Sequence, residues 1–228
     1  MSDDPRALVR LLQLASPALP IGAYSYSQGL EFAVESGIVR DAASAQQWIG
    51  DLLTEVQKCG EAAVLSRLCH AADRGDWVAF DHWHAWFRAS RETSELLAET
   101  LQMGGSLGKL LRDLDLLDAH ACDALDRNTP VALPAAFALA ARALAVPADS
   151  AVAGYLWSWA ENQVMAALKS IPLGQVAGQR MLLALGGAIP GVLQEIEAMH
   201  DDDIASFAPG LALASARHET QYSRLFRS

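Results

Sequence analysis

The stretch IGDLLTEVQKCGEAAVLSRL, residues 49–68, predicts the fold class of this chain. Its apolar positions recur every three to four residues, as at Ile49, Leu53, Val56, Val64 and Leu68. Spacing of this kind places the apolar side chains on one face of a helix, and it continues through about five turns. The stretch therefore predicts one long amphipathic helix.

The other long segments also have helical spacing. Residues 77–87 and 152–159 each carry aromatic and aliphatic side chains on one face, and no segment shows the sustained alternation that is typical of a strand. Joints rich in Pro and Gly separate the segments and are too short for flexible linkers. The sequence predicts an all-α protein, a single-domain helical bundle of about ten helices over residues 1–228. Further helices are predicted near residues 5–14, 24–36, 91–103, 106–117, 134–145, 174–186, 190–200 and 210–220.

The composition narrows the classes of protein that this chain can belong to. Hydrophobic residues make up 52% and charged residues 19% of the 228 positions, which fits a compact globule. The net charge of −10 repels phosphate, so we expect no nucleic-acid partner. The start of the chain does not resemble a secretory signal, and Pro134, Arg142 and Pro147 interrupt the longest apolar segment, residues 131–148. We therefore expect a cytoplasmic protein with no membrane span.

The cysteines and histidines are weak candidates for metal binding or catalysis. The three cysteines include no CxxC pair, which argues against a disulfide framework and a zinc knuckle. Cys69 and His70 are adjacent and His82 and His84 are two apart, so the side chains of each pair diverge on a helix. We interpret Cys69 as a buried thiol, His84 as packed and hydrogen-bonded and His82 as exposed, with a metal site as the alternative. No GxSxG, P-loop or HExxH motif occurs, so the residues predict no enzyme, no metal site and no cofactor.

The stretch SPALPIGAYSYSQGLE, residues 16–31, predicts a loop followed by a helix. Two prolines hold the backbone extended and Gly22 permits a turn. Ser25 and Gln28 have the spacing of a helix capping box. The two tyrosines either pack inward as part of a structural clasp or form a contact surface.

Two glycine-containing stretches raise similar alternatives. In LKSIPLGQVAGQR, residues 168–180, Gln175 and Gln179 lie on one row of a helix, where they either bond inside the fold or meet a second chain. In QMGGSLGKLL, residues 102–111, three glycines interrupt a helical pattern. The second stretch predicts a helix break or a close helix crossing, with a hinge or a contact surface as the alternative.

Three of these motifs resemble the urease accessory protein UreF family. They are SPALPIGAYSYSQGLE at residues 16–31, KSIPLGQVAGQR at 169–180 and HETQYSRLFRS at 218–228, in the family's order and at about its chain length. The segment RETSELLAETLQMGGSLGKLL, residues 91–111, also looks like the corresponding part of the family. The resemblance covers nearly the whole chain and is weakest over residues 70–88 and 118–150.

The resemblance implies an all-helical, non-catalytic protein that is usually a homodimer. In the family, the protein binds the accessory protein called UreD or UreH, and the pair recruits the GTPase UreG. The assembly inserts nickel into apo-urease, so the implied role is a scaffold and chaperone in urease maturation. Two alternatives stay open, a GTPase-activating or gating regulator of UreG and a protein that binds nickel directly through Cys69, His70, His82 or His84.

The resemblance also implies which residues contact partners. Aromatic and arginine side chains are favoured as interface anchors, and the C-terminal tail, residues 217–228, mixes both. We expect this tail and the N-terminal segment 1–22 to become ordered on a partner, with a tail docked on its own subunit as the alternative. The expected partner-binding residues are Pro20, Gly22, Tyr24, Ser25, Gln28, Glu31, Lys169, Pro172, Gln175, Gln179, Arg217, His218, Tyr222, Arg224, Leu225 and Phe226.

Overall fold

A computed structural model describes residues 5–228, and these residues form eleven α-helices and no β-strand. The prediction of an all-α bundle of about ten helices is confirmed. Residues 1–4 of the N-terminal segment 1–22 lie outside the described residues. The helices are α1 (Pro5–Leu14), α2 (Leu30–Glu35), α3 (Ala42–Asp51), α4 (Glu61–Arg74), α5 (Trp77–Ala89), α6 (Ser94–Asp113), α7 (Ala119–Arg127), α8 (Leu133–Ala143), α9 (Ala148–Ser170), α10 (Gln175–Ala198) and α11 (Pro209–His218).

Helix α9 lies at the centre of the bundle. It packs against α10, α4 and α2, and α4 in turn packs against α8 and α5. Leu156, Ala160 and Val164 of α9 are completely buried. Helix α8 is rich in alanine and buried along most of its length, because small side chains allow α4 and α6 to approach it closely.

The predicted long helix over residues 49–68 is wrong as a single element. Helix α3 runs on into a π-helical turn, Leu52–Gln57, and the chain breaks before α4 begins at Glu61. Gly60 is the break, with φ −116° and ψ −95°. A side chain there would lie 3.1 Å from the carbonyl oxygen of Val56 and 3.2 Å from that of Ala205. The apolar face is continuous across the break, so the pattern alone could not reveal it.

Two pairs of predicted helices are single helices in the structure. Helix α6 continues through the three glycines, and α10 continues through Pro190. Gly104 lies against the backbone of residues 131–133, so the prediction of a close helix crossing is confirmed and that of a break is wrong. Gly105 and Gly191 face open space. Packing on neighbouring helices outweighs a helix-propensity cost of about 1 kcal/mol per glycine.

Helix α10 is the one helix of the described residues that is long and apolar enough to cross a membrane by length and composition. A third of its apolar window is buried in the bundle, where Met181, Leu185 and Ile189 face the core. Core helices pass the same test of length and composition. The segment singled out from the sequence, residues 131–148, contains the buried helix α8, which has only eleven residues.

Adding a methyl group at Gly104 should destabilise the bundle. An alanine Cβ there would contact the carbonyl of Val131 and lie 2.7 Å from the amide nitrogen of Leu133, and both are backbone atoms. We expect Gly104→Ala to lower the free energy of unfolding by at least about 2 kcal/mol in urea titrations. The matched variant Gly105→Ala should raise it by about 0.5 kcal/mol, since helix propensity improves without a clash. Equal stabilities of the two variants would contradict the close crossing.

Candidate functional site

Residues 15–29, called here the N-terminal loop, connect α1 to α2 through left-handed backbone. Gly22, Gln28 and Gly29 have φ values of 79°, 52° and 77°. The predicted helix over residues 24–36 therefore shrinks to α2 and a short 3-10 turn, Ala23–Ser25. The predicted capping box is wrong, because the N-cap of α2 is Gly29, which has no side chain to cap with, and Gln28 bonds elsewhere.

Gln28 ties the N-terminal loop to two helices. Its Oε1 accepts a hydrogen bond from Nε1 of Trp159 on α9 at 2.8 Å, and its Nε2 donates to Oε1 of Glu99 on α6 at 2.7 Å. Asn162 of α9 adds a bond from its Nδ2 to the carbonyl of Tyr26 at 3.0 Å. Both ends of the Gln28 amide are thus used within the chain, and the loop has a fixed position.

The C-terminal tail lies against the N-terminal loop of the same chain. The amide of Arg227 donates to the carbonyl of Ser25, and the amide of Ser27 donates to the carbonyl of Ser228, both at 2.8 Å. The Ser27 hydroxyl donates to the same Ser228 oxygen at 2.6 Å. The structure therefore describes the alternative in which the tail docks on its own subunit. A change in the tail on partner binding stays a prediction.

Glu31 holds the tail through both carboxylate oxygens. Its Oε1 accepts the amide of Leu225 at 2.7 Å, and its Oε2 accepts the amide of Phe226 at 3.0 Å. The same Oε2 lies 3.2 Å from Nε2 of His218. Glu31 and His218 are buried, so the structure places these two expected contact residues inside the chain rather than on its surface.

Two further glutamates, one turn apart on α6, complete this set of tail contacts. Glu95 bonds Nδ1 of His218 through Oε2 and Nη1 of Arg224 through Oε1, each at 2.7 Å. Glu99 accepts the hydroxyl of Ser228 at 2.6 Å through its Oε2. Burial raises the pKa of Glu99 to about 7, although the bonds from Ser228 and Gln28 oppose this shift.

The docked tail presents a mixed surface to solvent, called here the tail surface, which consists of Tyr24, Lys169, Tyr222, Leu225 and Arg227. Tyr24 is 68% exposed, Leu225 is 72% exposed and Tyr222 is fully exposed. A depression of about 450 Å³ lies between Tyr24, Lys169, Leu225 and Arg227. The surface therefore combines aromatic, aliphatic and cationic groups, which are the residue types enriched at protein interfaces.

The tail surface brings together parts of all three sequence motifs. Lys169, at the end of α9, places its Nζ 5.6 Å from the centre of the Phe226 ring, and that ring is buried. The N-terminal loop contributes Tyr24 and Ser25 to the same depression. Residues as far apart in the chain as Tyr24 and Arg227 therefore share one face.

The remaining expected contact residues are spread around this face and along α10. Pro20, Pro172 and Arg217 are exposed, and Gly22 is half-buried. Gln175 and Gln179 are exposed on α10. Within residues 5–228 neither amide has a side-chain hydrogen-bond partner, so the alternative in which they bond inside the fold is not what the structure describes.

A cavity of about 210 Å³ lies beneath the N-terminal loop and reaches the buried glutamates. The Tyr155 hydroxyl donates to Glu61, whose other oxygen lies 3.3 Å from Nη1 of Arg91. Burial, and then the Glu61 carboxylate, raise the pKa of the Tyr155 phenol. Glu61 and Glu99 at the base of the cavity are both bonded by donors of the chain itself.

The histidines and cysteines considered for metal binding occupy separate places. Cys69 is buried, which raises the pKa of its thiol, whereas His70 and His82 are exposed. Nε2 of the buried His84 accepts the amide of Ala132 at 3.1 Å. These interpretations of Cys69, His82 and His84 are confirmed. Among residues 5–228 no three His, Cys, Asp or Glu side chains form a group that could hold a metal ion.

Several residues of the site were missed in the sequence, namely Ser27, Glu95, Glu99 and Trp159. The sequence does contain a pattern that could have indicated Glu95 and Glu99. The two acids are one turn apart within an apolar helix pattern, so they lie on the same face of the helix. Such a pair, if buried, needs hydrogen-bond donors from elsewhere in the chain. Nothing in the sequence indicated that the donors come from the tail.

Comparisons with known proteins find similar chains. A family model described as UreF matches residues 39–186. The chain is 52% identical over 223 residues to "Urease accessory protein UreF" of Janthinobacterium sp. (strain Marseille), covering 98% of this chain and 99% of the relative. It is 53% identical over 235 residues to "Urease accessory protein UreF" of Azoarcus sp. (strain BH72), covering 100% of both chains. The relative of the same name from Methylobacillus flagellatus is 50% identical over 223 residues, which is 98% of each chain.

The buried Glu99 should make the stability of the fold depend on pH. Its pKa of about 7 lies above the ordinary value of 4.5, so the folded chain holds this proton more tightly than the unfolded chain. The contribution of Glu99 is therefore present below about pH 4.5 and is lost as the pH rises through about 7. As the pH rises from about 4.5 through about 7, the unfolding free energy of Glu99→Gln should increase by on the order of 3 kcal/mol relative to that of the unmodified chain.

Urea titrations at several pH values measure this difference. Glu92→Gln is the matched control, because Glu92 is exposed and the same chemical change there should leave the pH profile unaltered. Parallel pH profiles for Glu99→Gln and the unmodified chain would contradict the buried, proton-binding Glu99.

Proposed function

Because this chain belongs to the UreF family of urease accessory proteins, we propose that it is a scaffold that joins UreD/UreH to the GTPase UreG. The resulting complex inserts nickel, as cargo, into apo-urease. The relatives are named accessory proteins of urease, so the chain is an accessory protein rather than an enzyme. A cytoplasmic location and a homodimer are part of the same proposal and rest on family membership.

The tail surface is the single observation that carries this proposal. A free chain end tends to fray, yet this tail is fixed by backbone and side-chain bonds to Ser25, Ser27 and Glu31. The fixed backbone holds the side chains of Tyr222 and Leu225 in solvent, where they add almost nothing to the stability of the chain itself. Exposed apolar groups on a rigid support are typical of a binding surface, since little ordering entropy remains to be lost on binding.

Ten of the expected contact residues fall into two groups in this proposal. The exposed Tyr24, Lys169, Tyr222, Leu225 and Arg224 contact UreD/UreH directly. A second group is buried or half-buried and positions the first: Ser25, Gln28, Glu31, His218 and Phe226. Their substitution would alter binding through the position of the tail, not through lost contacts.

A regulator of the GTPase is a second candidate function, and one observation favours it. Gln175 and Gln179 lie exposed on one row of α10, and their side-chain amides have no partner among the described residues. Arg180 is exposed beside them. Glutamine and arginine side chains can position water or stabilise charge at a transferred phosphate. If this candidate function is right, UreG contacts the N-terminal end of α10.

Removing the exposed apolar groups of the tail should weaken binding to UreD/UreH without unfolding the chain. We expect the double variant Tyr222→Ala with Leu225→Ala to bind purified UreD/UreH at least about tenfold more weakly by calorimetry or co-purification. Its thermal unfolding should be unchanged, because both side chains lie in solvent. Val78→Ala is the matched control, since Val78 is 83% exposed on α5. Undiminished binding by the double variant would refute the role of the tail surface.

The regulator candidate predicts a change in the rate of GTP hydrolysis. Single-turnover hydrolysis by UreG should accelerate when the complex of this chain with UreD/UreH is added. The acceleration should reach roughly 10³- to 10⁵-fold if a side chain contacts the transferred phosphate. Gln175→Ala with Gln179→Ala should remove the acceleration while leaving binding to UreD/UreH intact. An unaltered rate in the complete complex would remove this candidate and leave the scaffold proposal in place.

A further inference from the structure

His218 is a completely buried histidine that lies between two carboxylates. Its Nε2 is 3.2 Å from Oε2 of Glu31 on α2, and its Nδ1 is 2.7 Å from Oε2 of Glu95 on α6. The side chain of His218 is 0% exposed, and those of Glu31 and Glu95 are 9% and 13% exposed. His218 is also the last residue of α11, so it stands where the helical part of the tail ends.

The remaining contacts of the two carboxylates are all made by donors. Glu31 accepts two backbone amides, from Leu225 and Phe226, and an amide can only donate. Glu95 accepts a guanidinium N–H from Arg224. Both carboxylates are therefore acceptors at every one of these contacts.

This arrangement fixes the number of protons on the imidazole. A neutral imidazole has one N–H and one lone pair, so it can donate to only one of two carboxylates. The other ring nitrogen would then face a carboxylate oxygen lone pair to lone pair. The imidazolium donates to both Glu31 and Glu95, and together with Arg224 it balances their two negative charges.

Few other charged groups face this triad. Arg217 and Glu219 flank His218 but are exposed, and Glu219 bonds the hydroxyl of Ser94. Glu99 lies one turn further along α6 and bonds Ser228, so it is the other titratable group that holds the tail. A test of the triad must therefore separate the titration of His218 from that of Glu99.

We propose that the triad Glu31–His218–Glu95 is a pH-sensitive switch that holds the tail when the imidazole carries both protons and releases it when one proton is lost. Release frees the backbone of Leu225 and Phe226 from Glu31, because the neutral ring keeps its proton at the shorter contact, Nδ1 to Glu95, and turns the lone pair of Nε2 toward Glu31. Insofar as the tail surface binds UreD/UreH, which rests on the proposed function, the switch makes that binding weaker at alkaline pH.

The isolated chain tests the switch directly. Nitrogen-15 NMR of the histidine rings should show two protonated ring nitrogens for His218 at about pH 6 and one at about pH 9. Over the same range the protection factors of the Leu225 and Phe226 amides, measured by hydrogen exchange and corrected for the intrinsic rate, should fall at least tenfold. A singly protonated ring at about pH 6, or equal protection at both pH values, would overturn the proposal.

Glu95→Gln is the most informative variant. Its amide oxygen can still accept Arg224, and its Nε2 can donate to Nδ1 of a neutral His218, so the triad no longer needs the second proton. We expect this variant to protect the Leu225 and Phe226 amides equally at both pH values. A tenfold loss of protection in Glu95→Gln at about pH 9 would count against the triad.

Two controls separate the triad from other groups. His200→Gln alters an exposed histidine and should keep the pH dependence of the unmodified chain, and Glu99→Gln should keep it as well. Loss of the pH dependence in Glu99→Gln would assign the effect to Glu99 and overturn the proposal. All of these measurements use the chain without partners, so their outcome is independent of whether the tail surface binds UreD/UreH.

Discussion

The burial of carboxylates on α2 and α6 is the constraint on which the functional face depends. Glu31 and Glu99 are buried and Glu95 is largely so, and each needs hydrogen-bond donors to offset the desolvation. The donors come from the tail and the N-terminal loop, which are the least regular parts of the chain. The same hydrogen bonds therefore satisfy the buried carboxylates of this region and fix the position of its surface segments.

This constraint explains how a chain end can serve as a binding surface. Backbone amides of the tail bond buried groups of the chain, which fixes the direction of each side chain. Phe226 is therefore buried, and Tyr222 and Leu225 are exposed. The helices beneath, centred on α9, supply the rigid support through Trp159, Asn162 and Lys169. A rigid support with mixed apolar and cationic groups suits recognition of another protein better than chemistry on a small substrate.

The sequence predicted the existence of helices better than their ends. Gly104 and Pro190 are strong breakers by propensity, yet α6 and α10 pass through them because tertiary packing supplies more free energy than the breaker costs. Gly60 has an ordinary place on an apolar face, yet the chain breaks there because the backbone near Ala205 approaches it. Gln28 had the spacing of a cap, but its left-handed backbone turns the amide toward α6 and α9.

The sequence alone determined the all-α class, the family and the burial of side chains such as Cys69 and His84, because periodicity and motifs are local properties of the chain. Only the tertiary structure decided that Glu31 and His218 lie inside while Tyr24 and Leu225 lie outside. Charge and polarity favour the surface for any single residue, and they are overruled only where a distant segment supplies matching hydrogen bonds. Such pairing across almost 200 positions is set by the fold and by no local pattern.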